Sequence, residues 1–393
     1  MTVSAGVPTI RALQGARALP PLVLVLFHYC EGHGYRGAWW FDLVVARGYL
    51  WVEFFFALSG FVLTYVYAER LRELWRPRGY ATFLRARLAR LYPLHLAILL
   101  LILGMVVALR SLAARGGYVS IYDERWHPIV SAPTFIANLF LVQAWNLFPY
   151  LSWNGAAWFV SVEFLLCLLF PLYLLASRGG WKTALLLIIG GAAGLALLAE
   201  PRYGLDLTFH DGIWRGMAAF AVGVGFAILN RMMRGRAAAL PEFAFTFAQL
   251  VVVICLFTAL YNTGWSHRPA DIYTALPAIA LVFVLSFDRG ALARALATPV
   301  PLALGAWSYA IYIGQTPLLQ FLRHAEVHLY PAPGDLVLGR SWADWAPVWH
   351  WLEPALLVMA AIAWGAFLYA AIERPANALL RAPRRPVVRP ASA

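Results

Sequence analysis

Lysine is almost missing from this chain: Lys182 is the only one, so nearly all of its 31 basic residues are arginine. Charge of any kind is scarce. Only 13% of residues are Asp, Glu, Lys or Arg, against about a quarter in soluble domains, which excludes an ordinary water-soluble fold. Three cysteines cannot build a disulfide framework, and Cys30, Cys167 and Cys255 all lie in or beside apolar segments, so each reads as unpaired. No zinc-ligand spacing and no glycine-rich nucleotide loop occurs. The alternating ten-residue strands of a membrane barrel are lacking, as is any internal repeat. The N-terminus has no small-residue cleavage site, so the first apolar segment is expected to stay as a signal-anchor.

What the chain does have is apolar residues, 62% of the total, gathered in blocks of about 20, the length that crosses a bilayer. Such blocks fall at 13–30, 48–68, 91–110, 155–176, 182–199, 212–230, 243–262, 270–287, 301–322 and 352–372. The segment 134–148 is shorter and holds Asn138, Gln143 and Asn146, so it reads as a re-entrant or interfacial helix rather than a span. The expected fold is therefore all-α, a polytopic membrane helical bundle of about ten transmembrane helices plus that short helix. With ten spans, about two-thirds of the 31 basic residues fall on the side of the termini, the asymmetry that marks a cytoplasmic face. The net charge of +12 then reports topology and calls for no nucleic-acid partner. Residues 1–376 are expected to form one membrane domain, and 377–393 a disordered basic cytoplasmic tail that rests on anionic membrane lipid.

Ionisable residues inside apolar segments are the informative exceptions, because a charge at that depth costs roughly 2.5–3.5 kcal/mol on insertion scales and faces protein or water. Arg17 and His28 occupy RALPPLVLVLFH. Eleven residues on a continuous helix give about 16 Å of rise and about 20° of net rotation, which puts both on one face. The plainer alternative is an interfacial anchor and a structurally hydrogen-bonded histidine. Before the third span, ATFLRARLARLYP carries Arg85, Arg87 and Arg90. Two of these, three residues apart, can grip one phosphate through bidentate guanidinium bonds; anchoring to lipid head groups is the alternative. Glu53 and Glu163 open or enter the second and fourth spans, in the same half as His28, where a carboxylate would orient the imidazole. Each would otherwise be an interhelical hydrogen bond. Ser59 and Gly60 allow a backbone or a thin acyl chain to approach.

Together these residues suit a phosphorylated, long-armed donor that docks on the arginines and threads towards His28. A coenzyme A thioester has that shape and a nucleotide sugar does not. A secondary transporter of a sugar or anionic solute is the alternative, but transporters show paired, broken midplane helices in both halves, and no such pairing is present. A non-catalytic scaffold leaves the alignment of basic residues unused.

The same segments resemble the acyltransferase-3 family of integral membrane O-acyltransferases. RALPPLVLVLFH is similar to its Arg-x10-His signature, VEFFFALSGFVL to its second span, and FLRARLARLYPLH to its Arg-x-x-Arg segment. WFVSVEFLLCLLFP, SYAIYI (308–313) and IERP (372–375) resemble its later signatures. The resemblance implies transfer of an acyl group, often acetyl, from cytoplasmic acyl-CoA to a hydroxyl of an extracytoplasmic carbohydrate or glycoside, with no permanently bound cofactor. It implies His28 as the essential histidine and Arg87 with Arg90 as the CoA-side contact; His28 is then expected to act as general base or acyl carrier, with Glu53 or Glu163 orienting it and Arg17 steering the donor. Arg85, Arg87, Arg90 and Ser59 would lie on the donor path. The implied location is a bacterial inner membrane with both termini cytoplasmic. Members commonly carry a histidine where this chain has Gln315, and an amide cannot shuttle protons.

Overall fold

The computed structural model describes residues 8–33, 37–116, 128–200, 203–263, 270–329 and 349–381. The first apolar segment is two helices, α1 (Arg11–Ala16) and α2 (Leu19–His33), parted by a turn at 17–18. Pro20 and Pro21 supply the reason: they lack the N–H groups that would bond back four residues, so a continuous helix would leave two carbonyls bare. The expectation that Arg17 and His28 share the face of one helix is corrected accordingly.

Next come α3 (Trp39–Val45), α4 (Trp51–Tyr67), α5 (Leu71–Leu74) and the long α6 (Pro77–Ala114). Pro77 sits in the first turn of α6, where its missing N–H is no loss. The polar segment at 134–148 yields only an eight-residue helix, α7 (Ala132–Leu139), followed by irregular chain. Then follow α8 (Ala157–Ala176), α9 (Trp181–Leu198), α10 (Gly212–Ala238), α11 (Glu242–Thr263) and α12 (Asp271–Leu285). The chain closes with α13 (Ala291–Leu296), α14 (Pro299–Leu329), α15 (Trp349–Leu368), a π turn at Tyr369–Glu373 and α16 (Arg374–Arg381). Helix therefore continues past residue 377, where the tail was expected to begin; 382–393 lie outside the described residues, as do 117–127 and 330–348 of the two large loops.

Among the described residues there is no strand, only an isolated bridge between Glu200 and Gly204. Seven helices there are long and apolar enough to cross a membrane: Trp39–Leu74, Pro77–Ala114, Ala157–Ala176, Trp181–Leu198, Gly212–Ala238, Glu242–Asn262 and Leu352–Leu380. The expected count of ten is not reached by that measure. Helices α2 and α12 have 15 residues each, about 22 Å against a hydrocarbon core of about 30 Å. Helix α14 has the length, at 31 residues, but its Gln, Arg and His side chains dilute the apolar character.

The centre of the bundle is the crossing of α4 and α10, where backbones touch. A Cβ at Gly60 would collide with the carbonyl oxygen of Phe220, and one at Gly223 with that of Ala57. Gly60→Leu should therefore destabilise the protein by about 1–3 kcal/mol, seen as a lower melting temperature in detergent. Gly104→Leu, at an open helix position, should not.

Candidate active site

Among the described residues, two cavities in the bundle hold most of the predicted site residues. The arginine cavity, about 80 Å³, is bordered by Arg17, Ser59, Arg87, Arg90, Glu163 and Tyr309. The histidine cavity, about 1080 Å³, is bordered by His28, Asp206, His210, Arg215 and Gln315 among others. Helix register places them at opposite ends. On α4 the arginine cavity takes Ser59 and Val62 while the histidine cavity takes Val52; on α14 the division is Ser308 and Tyr309 against Gln315 and Gln320. Tyr309 and Gln315 are about 9 Å apart along the axis. Tyr312, between them, borders both cavities. Its ring centroid lies 5.6 Å from that of Phe159, which lines the arginine side.

Of the predicted residues, Arg17, Ser59, Arg87, Arg90 and Glu163 border the arginine cavity and His28 borders the histidine cavity. Arg17 caps α1 and is 9% exposed; its charge and those of Arg87 and Arg90 act on one another and on Glu163. The guanidinium of Arg87 lies 5.9 Å from the Phe83 ring centroid. Ser59 donates a hydrogen bond to Glu163, joining α4 to α8. His28 is exposed to the wide cavity and its ring packs 5.2 Å from that of Phe27.

Three expectations are corrected. Glu163 faces the arginine cavity and not His28, because its register on α8 turns it towards Ser59. Glu53 is fully buried and accepts hydrogen bonds from Arg215 through both carboxylate oxygens, one of them at 2.9 Å, which commits it to that pair. Arg85 does not border the arginine cavity: its guanidinium donates to the carbonyl of Leu380 at 3.0 and 2.8 Å and so caps α16.

The acyltransferase domain family Acyl_transf_3 matches residues 10–372. The chain belongs to that family. It is an integral membrane acyltransferase by its family and its apolar helices. Acyltransferase MdmB of Streptomyces mycarofaciens is 26% identical over 362 residues, which cover 88% of this chain and 84% of that protein. Protein 2 in the picA locus of Rhizobium radiobacter is 47% identical over 64 residues, 16% of this chain and 32% of that protein. No solved structure matches.

The structure also brings to this region residues that sequence reasoning passed over. Tyr312 and Glu373 lie inside SYAIYI and IERP, yet neither was given a role. Glu373 is buried, and its charge acts on Arg17 and Arg90. Arg215, in GIWRGM, is fully buried, and the rule that singled out Arg17 applies to it equally. Gln315 is 1% exposed, and neither amide atom has a protein partner. Asp206 lies on the chain before α10 and had no motif to mark it.

Proposed function

We propose that this acyltransferase moves a short acyl group, acetyl in the simplest case, from acyl-CoA to a hydroxyl of a carbohydrate or glycoside. The observation that carries the reading is the position of Tyr312, shared by a cavity of arginines and a cavity that holds the histidine. Guanidinium groups suit CoA phosphates because their forked donors bind bidentately. The thioester would then lie at the Tyr312 seam. His28 takes the proton of the acceptor hydroxyl, a C–O bond forms at the thioester carbonyl, and the C–S bond breaks. The departing thiolate receives the proton from the imidazolium. Gln315 would hydrogen-bond the acceptor, since an unpartnered buried amide is costly without a ligand. The arginine bias supports a cytoplasmic donor side and an extracytoplasmic acceptor, in a bacterial inner membrane.

The test is release of CoA from labelled acetyl-CoA by purified protein in lipid nanodiscs. Arg87→Ala and Arg90→Ala should each raise KM for acetyl-CoA roughly tenfold or more, the worth of a charge-assisted hydrogen bond of about 1.5–3 kcal/mol. Unchanged KM in both variants would remove the donor assignment. Solute uptake without acyl turnover would instead mark a carrier.

A further inference from the structure

Glu53 and Glu163 are turned away from His28, and two buried ion pairs have no role in the reaction above. Arg47, 2% exposed, pairs with fully buried Asp271 at 3.2 Å. The Tyr49 hydroxyl donates to Asp271 at 2.7 Å and receives a hydrogen bond from Arg47 at 2.8 Å. The second pair is Arg215 with Glu53.

Both pairs reach the same three residues of chain. Asp271 accepts from the backbone N–H of Leu205 at 2.8 Å, and Arg215 donates to the carbonyl of Leu207 at 3.1 Å. Arg215 also donates to the carbonyl of Tyr49 at 2.9 Å, which ties the two pairs together. The residue held between these anchors is Asp206. It borders the histidine cavity with His28, and its charge acts on the imidazole. Burying two ion pairs is costly unless every partner is satisfied, and here their spare hydrogen bonds fix the backbone on either side of one cavity-facing carboxylate.

We propose that Asp206 is the positioning carboxylate of His28, held at the cavity wall by the clamps on Leu205 and Leu207, and that it stabilises the imidazolium formed when His28 takes the acceptor proton. The proton passes from the hydroxyl to His28 and on to the CoA thiolate. This rests on the reading of His28 as a base in acyl transfer.

The experiment measures acetyl-CoA turnover in nanodiscs, with water as acceptor, for the wild type, His28→Ala, Asp206→Asn and Asp206→Glu, alongside their melting temperatures. Asp206→Asn should lower kcat by about 10²-fold or more, since losing the carboxylate behind a general-base histidine costs up to about 10⁴-fold in a catalytic triad. KM for acetyl-CoA should hold, because the donor binds in the other cavity. The melting temperature should hold as well, and Asp206→Glu should recover part of kcat. A His28-dependent wild-type rate that Asp206→Asn leaves intact overturns the Asp206 assignment alone. So does a loss that comes with raised KM or lowered melting temperature and that Asp206→Glu does not recover. A wild-type rate no greater than that of His28→Ala removes the acyl-transfer reading beneath it.

Discussion

Replacing His28 by alanine should abolish acyl transfer while leaving a protein that folds and inserts normally. The side chain opens onto the wide cavity instead of the packed core, so its removal enlarges a space already open and creates no enclosed void of the kind that destabilises cores. The chemistry has no substitute. Gln315 cannot accept a proton, and Asp206 acts through the ring. A positioned base is worth about 10²–10⁴-fold, and a covalent acyl-histidine route would lose everything with it. The check is CoA release beside a melting curve. A variant that is as stable and as active as the wild type would take His28 out of the reaction.

The largest stability loss should come from Glu53→Ala. Its carboxylate and the Arg215 guanidinium are both fully buried, and Arg215 also lies 5.4 Å from the Trp158 ring centroid. Removing one partner strands the other charge, which typically costs about 3–5 kcal/mol. Removing both is far milder, so Glu53→Leu with Arg215→Met should recover part of the loss. The recovery is incomplete because the carbonyls of Tyr49 and Leu207 lose their donor. Melting temperature and monodispersity in detergent report both effects. A single variant as stable as wild type would mean that water reaches the pair.

The fold class was legible in the sequence because apolar blocks of bilayer length have few other uses. Helices α2 and α12 were read as full spans because apolar flanks were counted that the helix does not include. The break before Pro20 was visible as a proline pair, but it was outweighed by the spacing of Arg17 and His28. Those two, with Arg87 and Arg90, stood out because charge at membrane depth is expensive. Their partners did not. Whether Glu163 meets Ser59 or His28 depends on how α8 is rotated against α4, and no local pattern encodes that rotation. Asp206 was hidden for a different reason: its position is set by hydrogen bonds from α12 and α10 to its neighbours' backbone, which leave no mark on the side chains around it.

Tyr312 and its neighbour Phe159 have one more consequence. Hollows that admit water from both ends of a bundle leave little low-dielectric material between them, so a transmembrane voltage falls mainly across what remains. Among the described residues Tyr312 borders both hollows, and its ring packs against Phe159. A ring at that seam therefore bears on the ion permeability of the protein as well as on its chemistry.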